Sequence, residues 1–335
     1  MLKDWFEELL PFLKNKKILL SSHELVDLDG FSSAVALYFF LNQFIQDSTL
    51  YLYFSDISKK TQSFYEKLKL KFPEMSINIE KDISTLDIDT VIILDANNIN
   101  QLPFLNDLTN ILDELNYIFI DHHYSDEKIE KQIQNNKIII DEYTSTAELI
   151  SEIFFQYQIK IPLFLKYLLL GGILSDSGFL RLANTNTIKT VSILLEPNMR
   201  YQELILMMRQ KSDISQKIAK IKGTQRVELI RESEYLIGYS HVSSFESGVA
   251  ATLIKIGFDI GIVFSERKKE YRISMRANKR ICVNSDLHLG KIAQQISKEY
   301  GGQGGGHDGA ASITLDIKQG DLKTIILQKI KENLN

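Results

Sequence analysis

Two kinds of hydrophobic pattern alternate along the first half of the chain. Short runs of consecutive apolar residues are followed by stretches in which apolar positions recur every three or four residues. Residues 17–22 (KILLSS) form such a run and precede a helical pattern over 31–44. Residues 50–54 follow, then a helical stretch over 59–70. The runs 90–94 (TVIIL), 117–120 (YIFI) and 137–140 (KIII) are dense in Ile and Val, as strands buried on both faces of a parallel sheet tend to be. Segments 148–155 and 164–173 predict helices. The alternation predicts an N-terminal α/β domain over residues 1–185, with a doubly wound parallel sheet.

Residues 186–222 carry few turn signals and break at Pro197, which predicts a helical connector. Residues 223–335 predict a second, smaller α/β domain. Its strands are expected at 235–240, 260–266 and 271–276. A helix is expected over 287–300, with Asn284, Ser285 or Asp286 as its N-cap, and a glycine-rich loop follows at 301–306.

Composition narrows the function classes. The 335 residues are 44% hydrophobic and 24% charged, a globular balance that excludes a disordered chain. The net charge of -4 argues against coating duplex DNA by bulk charge, so any nucleic-acid contact must be local. The single cysteine, Cys282, excludes an internal disulfide and a cysteine zinc site, and suits a reducing, cytoplasmic location. The longest apolar stretch, 161–174, is interrupted by Lys166 and is too short to cross a bilayer, so no membrane association is expected. The first seventeen residues carry acids within their apolar stretch and do not read as a signal peptide.

The positions of the acids change the picture most. Asp95 directly follows TVIIL, and Asp121 follows YIFI and is itself followed by His122 and His123. His23, Asp27 and Asp29 lie just beyond KILLSS, and Asp176 ends the apolar helix at LLLGGILSDSGF. In an open parallel sheet the carboxyl ends of the strands face one crevice, so these residues converge there. Asp95 or Asp27 taken alone reads more plainly as the N-cap of the next helix. Taken together, so many carboxylates repel one another and resist desolvation unless cations neutralise them. Carboxylates mixed with imidazoles and no thiolate suit Mn²⁺ or Mg²⁺, with Zn²⁺, Co²⁺ or Fe²⁺ as competitors, and the number of ligands suits two ions.

These motifs resemble the four motifs of the DHH phosphoesterases: His23 through Asp27, Asp29 and Gly30, then Asp95, then Asp121-His122-His123, then Asp176-Ser177-Gly178. Residues 301–307 (GGQGGGH) are similar to the GGGH signature of the associated DHHA1 domain, and Ser145-Thr146-Ala147-Glu148 resembles the segment that follows the DHH motif in nanoRNase and RecJ-like members. Gly30 after Asp29 is closer to the archaeal RecJ-like type. Val26 stands where many relatives have Pro, and 265–269 (SERKK) faintly resembles the basic signature of family II pyrophosphatases. The resemblance implies one ion held by His23, Asp27 and Asp95, and another by Asp29, Asp95, His122 and Asp176, with Asp95 bridging. It implies two Mn²⁺ per chain, with Mg²⁺ or Co²⁺ as alternatives. Asp121 would orient its neighbours, and His123 would face the substrate phosphate, as the catalytic pair outside the ligand set.

In the second domain, Gly304, Gly305, Gly306 and His307 are expected to hold a phosphate, because glycines let backbone N–H groups approach an anion. A flexible connector is the plainer reading of a bare glycine run. Between residues 265 and 280 lie Arg267, Lys268, Lys269, Arg272, Arg276, Lys279 and Arg280 against Glu266 and Glu270. The resemblance places Arg276 near the substrate, and such bases suit a groove that tracks a single strand.

The expected activity is a two-metal exonuclease that cuts single-stranded or short RNA or DNA to nucleoside 5′-monophosphates, by attack of a hydroxide bridging the metals. The alternatives are hydrolysis of 3′-phosphoadenosine 5′-phosphate or of linear or cyclic dinucleotides, pyrophosphate hydrolysis, and a non-catalytic scaffold of a replication complex. Nucleotides are expected ligands, and a replication or repair protein and a homodimer are open as partners.

Overall fold

Strand-forming Val and Ile runs and the helices between them build residues 1–210 around one parallel sheet. In chain order the elements are α1 (Leu2–Phe12), β1 (Lys17–Ser21), β2 (Leu25–Val26), α2 (Leu28–Phe44), β3 (Thr49–Leu52), β4 (Asp56–Ile57), α3 (Lys59–Lys71), β5 (Thr90–Leu94), β6 (Asn116–Asp121), β7 (Lys137–Ile139), α4 (Thr146–Gln156), α5 (Leu163–Asp176), α6 (Thr185–Leu194) and α7 (Tyr201–Met208). The computed structural model describes residues 2–97, 101–108, 115–123, 137–139, 142–209, 213–267, 270–315 and 322–334. Ile140, anticipated at the end of a strand, lies outside them, as do Lys268 and Lys269 of the basic segment.

The sheet order is β3-β1-β5-β6-β7, and every pairing is parallel. Alternate residues face opposite layers. Ile18, Leu20, Ile92, Leu94, Ile118 and Ile120 join one core with Phe31, Phe40, Phe154 and Leu168 of the helices. Leu19, Val91, Ile93 and Phe119 join another with Leu102, Phe104 and Leu105. The chain leaves β1 toward β3 on one side and reaches β5 on the other, so a topological switch point lies between β1 and β5. The doubly wound parallel sheet anticipated for this half is therefore present.

Residues 211–335 form a second compact unit. Its elements are α8 (Ile214–Gln225), β8 (Glu228–Glu232), β9 (Tyr235–Val242), α9 (Glu246–Lys255), β10 (Ile260–Arg267), β11 (Glu270–Ala277), α10 (Lys279–Asn284), α11 (Leu289–Tyr300), β12 (Gln303–His307), β13 (Ala310–Leu315) and α12 (Leu322–Glu332). The mixed sheet runs β12-β13-β11-β10-β9-β8, with β9 and β10 parallel and the other pairs antiparallel. Ile262, Phe264, Ile273 and Met275 pack with Ile292, Ile296, Ile326 and Ile330 of α11 and α12. The opposite face buries Val263 with Val249 and Leu253 of α9.

The structure corrects three expectations. The glycines of 303–307 are not a loop: they form the edge strand β12, paired with β13 from Gln303 opposite Thr314 to His307 opposite Ala310. Glycine has weak strand propensity, and here the close approach of α11 decides the outcome. The N-cap of α11 is His288, whose ring nitrogen accepts from the Lys291 amide at 3.2 Å. Asn284 instead ends α10, and Ser285 is the C-cap of that helix. The segment anticipated as a connector carries helices that leave a break over 195–200 around Pro197, but α6 and α7 belong to the first unit and α8 to the second; residues 210–212 lie outside the description. No helix among the described residues is long and apolar enough to cross a membrane.

Candidate metal centre

The carboxyl ends of β1, β5 and β6 carry the first components of the site. His23 follows β1, Asp95 follows β5, and Asp121 closes β6 just before His122 and His123. Two helices complete it. Asp27 caps α2, accepting from the amides of Asp29 at 2.9 Å and Gly30 at 3.2 Å. The plain capping reading of Asp27 is thus correct, and the residue still belongs to the cluster. Asp176 ends α5. Gly172 of the same helix lets α5 approach α2, since a Cβ there would sit 3.0 Å from Asp29 Oδ1 and 2.8 Å from the Ala147 Cβ.

Three groups of ligand atoms result. His23, Asp27 and Asp95 form one; Asp29, Asp95, His122 and Asp176 form the second; Asp95, Asp121, His122 and His123 form the third. Within each group the atoms lie within 4.8 Å of one another. Asp95 belongs to all of them. Its Oδ2 lies 3.9 Å from His23 Nε2, and its Oδ1 lies 3.6 Å from His122 Nε2. The Asp95 backbone has a left-handed φ of +58°, a conformation Asp tolerates better than most side chains. Its amide donates to the Ile120 carbonyl at 3.0 Å, which fixes this turn against β6.

The electrostatics favour cations. Asp29 is fully buried, and burial followed by the nearby Asp95, Asp176 and Asp27 carboxylates pushes its carboxyl well above the usual range. Burial and the charges of Asp27, Asp176 and Asp121 push Asp95 up to about 7. Burial would also raise Asp27, but His23 and the amides of Gly30 and Asp29 outweigh it and lower that carboxyl. His23 is raised, chiefly by Asp27. His123 donates from Nδ1 to Asp121 Oδ1 at 2.8 Å, and that contact pushes it up to about 9.

His122 supplies the sharpest indication. Its Nδ1 lies 3.3 Å from the Tyr143 carbonyl, a contact only an Nδ1–H can satisfy. The lone pair then resides on Nε2, which is buried and has no hydrogen-bond partner among the described residues. Nε2 faces Asp176 at 3.5 Å, Asp95 at 3.6 Å and Asp29 at 3.8 Å. On the neutral ring this is a lone pair among three carboxylates, an arrangement that suits a divalent cation as well as it suits a proton. Oxygen and imidazole donors without sulfur match the hard to borderline divalent ions.

Sequence reasoning singles out the Ser145–Glu148 segment but not its task. Ser145 caps α4, accepting from the Glu148 amide at 3.1 Å. The free amides of that helix start then donate to Asp29: Thr146 to Oδ2 at 2.7 Å and Ala147 to Oδ1 at 2.9 Å. The positive end of α4 therefore holds the most deeply buried carboxylate of the cluster. The Thr146 hydroxyl donates to Asp95 Oδ1 at 3.1 Å. Glu148 anchors the entry by accepting from the Thr144 amide at 3.1 Å and from the Thr144 and Thr187 hydroxyls at 2.8 and 3.0 Å. The pattern Ser-x-x-Glu signals a helix start, but backbone donors leave no residue type for a sequence to show.

The second unit has its own polar pocket, of about 430 Å³, lined by Arg272, Arg276, Gly305, Gly306, His307 and Glu246 among others. Gly304 is not part of its wall and lies against α11 instead. Arg276 lies within β11 and donates from Nη2 to Ser247 Oγ at 3.1 Å. The Nε atoms of Arg272 and Arg276 are buried without a hydrogen-bond partner among the described residues, while the Arg272 guanidinium pairs with Glu270 at 2.9 Å, so Arg276 is the cation of this wall that suits an anion best.

With both sites described, comparison with known proteins gives the family. Residues 17–173 match the N-terminal domain of the DHH family, and residues 240–335 match the DHHA1 domain. A Methanocaldococcus jannaschii protein, the uncharacterized protein MJ0988, is 32% identical over 323 residues, which is 96% of this chain and 94% of the relative. The chain belongs to the DHH/DHHA1 family. The crystal structure of an exopolyphosphatase-related protein from Bacteroides fragilis shares the fold: its TM-score is 0.64 at 16% identity, over 99% of this chain and 95% of that one. The strand-end acids of this DHH/DHHA1 chain therefore sit on a phosphoesterase fold, in a cluster that can hold divalent metal ions.

Proposed function

We propose that this DHH/DHHA1 protein is a two-metal exonuclease that converts single-stranded or short RNA or DNA to nucleoside 5′-monophosphates. The observation that carries the reading is the orientation of Asp95, with Oδ2 turned to His23 and Oδ1 turned to His122. One carboxylate addressing two ligand groups is what a pair of ions needs. In this reading His23, Asp27 and Asp95 hold one ion, and Asp29, Asp95, His122 and Asp176 hold the other. Bound divalent ions supply a water of lowered pKa and neutralise charge growing on phosphoryl oxygens; Mn²⁺ is the proposed metal, with Mg²⁺ and Co²⁺ as alternatives.

The chain's own groups do the rest. Asp121 keeps the His123 imidazole protonated at neutral pH and fixes its ring, which is about half exposed. His123 thereby offers Nε2–H to a phosphoryl oxygen or to the leaving group. Thr146 and Ala147 hold Asp29 in place while substrate binds and leaves. In the second unit Arg276, His307 and the backbone of Gly305 and Gly306 are the proposed grip on a phosphate; Gly304 supports that strand from behind. Single-stranded nucleic acid is the proposed partner, and the cytoplasm the proposed location.

The test is product analysis on a length series of RNA and DNA oligomers from dinucleotides upward, labelled at either end, with Mn²⁺ and confirmed metal occupancy. Stepwise release of 5′-mononucleotides is expected. Turnover of pyrophosphate, 3′-phosphoadenosine 5′-phosphate or dinucleotides alone would replace the exonuclease reading, and no turnover at full occupancy would remove it.

A further inference from the structure

Directly after Asp176 the chain does something unusual. Three consecutive residues adopt left-handed backbone: Gly178 at φ +57°, Phe179 at +59° and Leu180 at +69°. For Gly178 the conformation costs nothing. Leu180 recovers its cost by packing against the main core. Phe179 recovers little, because its side chain remains 46% exposed. A bulky aromatic in this region is strained and persists only where its surroundings impose it.

The surroundings do impose it. The Phe179 amide donates to the Leu174 carbonyl at 2.8 Å, and the Leu182 amide to the Ser177 carbonyl at 2.9 Å. The Leu180 amide donates to Ser177 Oγ at 3.1 Å, and Arg181 Nε to the Gly178 carbonyl at 2.9 Å. The turn is pinned at every step, so the ring is presented from a rigid mount. It lines a cavity of about 260 Å³ that also touches Asp27 and Ser175, one a member of the metal cluster and the other the neighbour of Asp176. Leu28 and Met208 add apolar wall, and Ser58 and Lys60 at the start of α3 add polar rim.

We propose that this cavity is a nucleobase subsite beside the metal centre, with Phe179 as its stacking platform. The inference rests on the exonuclease reading for the phosphate at the metals and adds what holds the base attached to it. A half-exposed ring beside apolar wall matches the π-face of a heterocycle, and the hydroxyl and ammonium rim matches its polar edge. Pyrophosphate has no group that would use such a cavity. Base–aromatic stacking is sequence-tolerant, so the subsite selects nucleotides as a class.

The experiment uses the full-length chain and two variants. At φ +59° glycine is at ease, so F179G removes the ring and releases strain together, while F179W keeps a platform. Binding of 2-aminopurine riboside 5′-monophosphate is followed with Mg²⁺ by fluorescence quenching, with ribose 5-phosphate as competitor. The wild type and F179W are expected to quench the probe, and F179G to bind it at least tenfold more weakly while unfolding within about 3 °C of wild type. The wild-type preference, in KM, for a trinucleotide over the same trimer with abasic sites is expected to collapse in F179G. Equal probe affinity in wild type and F179G overturns the subsite, as does a loss that ribose 5-phosphate shares in full. Phe179-dependent probe binding without hydrolysis of any oligomer keeps the subsite and removes the exonuclease reading instead.

Discussion

The hydroxyl of Thr146 donates to Asp95 Oδ1 at 3.1 Å, while the amide of the same residue donates to Asp29 Oδ2 at 2.7 Å. One residue at a helix start thus sets the orientation of two carboxylates that come from distant parts of the chain. Thr146→Val keeps the amide and the branched shape and deletes only the hydroxyl. Loss of such a supporting hydrogen bond is expected to weaken metal affinity by about 10-fold or more. A Mn²⁺ titration by calorimetry checks this, with unchanged thermal unfolding of the metal-free protein as the sign that the fold is intact.

Asp95 links metal binding to stability. In the metal-free protein burial and the neighbouring carboxylates push its carboxyl up to about 7, against about 3.9 in an unfolded chain. The unfolded chain therefore releases this proton first as pH rises. The contribution of the protonated group to stability is complete below about pH 4 and is lost on the way to pH 7. Chelated protein should accordingly melt at lower temperature at pH 7.5 than at pH 5.5, and added Mn²⁺ should restore more stability at the higher pH. Asp95→Asn removes a charge that burial penalises, so it should flatten this pH dependence in the chelated protein while abolishing activity. A chelated D95N variant whose melting temperature still fell as steeply as that of the wild type between pH 5.5 and 7.5 would contradict the linkage.

How much of this was visible beforehand depends on what a side chain can announce. Asp95 and Asp121 stand out because each follows a strand dense in Ile, Val or Phe, and parallel strands send their carboxyl ends to one crevice. The strands TVIIL and YIFI are legible for the same reason. The support beneath the metal cluster is hidden, since the amides of Thr146 and Ala147 are common to every residue type and acquire their role only when α4 meets α2. Strand β12 is hidden for another reason. Its glycines look like a loop until the register with β13 and the packing of α11 are known. Strand β8 (Glu228–Glu232) is a sheet edge in which only the pair Leu229 and Ile230 stands among charged residues, too short an apolar run to mark it. The strain at Phe179 is a backbone property with no sequence signature beyond the glycine before it.

His123 and Asp121 separate catalysis from metal binding. His123 stands 3.6 Å from Asp95 but is anchored by Asp121, and its ring is about half exposed. His123→Ala should lower kcat by about 10²–10⁴-fold, the range of a lost general acid. Mn²⁺ stoichiometry should stay at two per chain, since the proposed ligand set is untouched. Asp121→Asn keeps a hydrogen-bond acceptor but removes the charge that holds the imidazole protonated, so its loss in kcat should be smaller than that of His123→Ala. Loss of a metal ion in either variant, measured by elemental analysis after desalting, would reassign these residues to the ligand set.

The glycines of β12 differ in what they do, and single substitutions can separate packing from binding. A Cβ on Gly304 would lie 2.3 Å from the Ala293 carbonyl oxygen of α11, a backbone atom that cannot swing away. A Cβ on Gly305 would find its nearest neighbour, Gln294 Nε2, at 4.0 Å. Gly304→Ala should therefore push α11 off the strand and destabilise the protein by about 1–3 kcal/mol, the usual cost of overpacking. Gly305→Ala should fold normally, yet its methyl group stands on a glycine that lines the pocket with Arg276 and His307. Its effect should appear as a raised KM for oligonucleotides with little change in unfolding temperature. Differential scanning calorimetry and steady-state kinetics on the two variants check the contrast. If Gly305→Ala left KM untouched, the β12 glycines would serve only to let the helix pack closely, and the phosphate grip would fall to the Arg276 and His307 side chains.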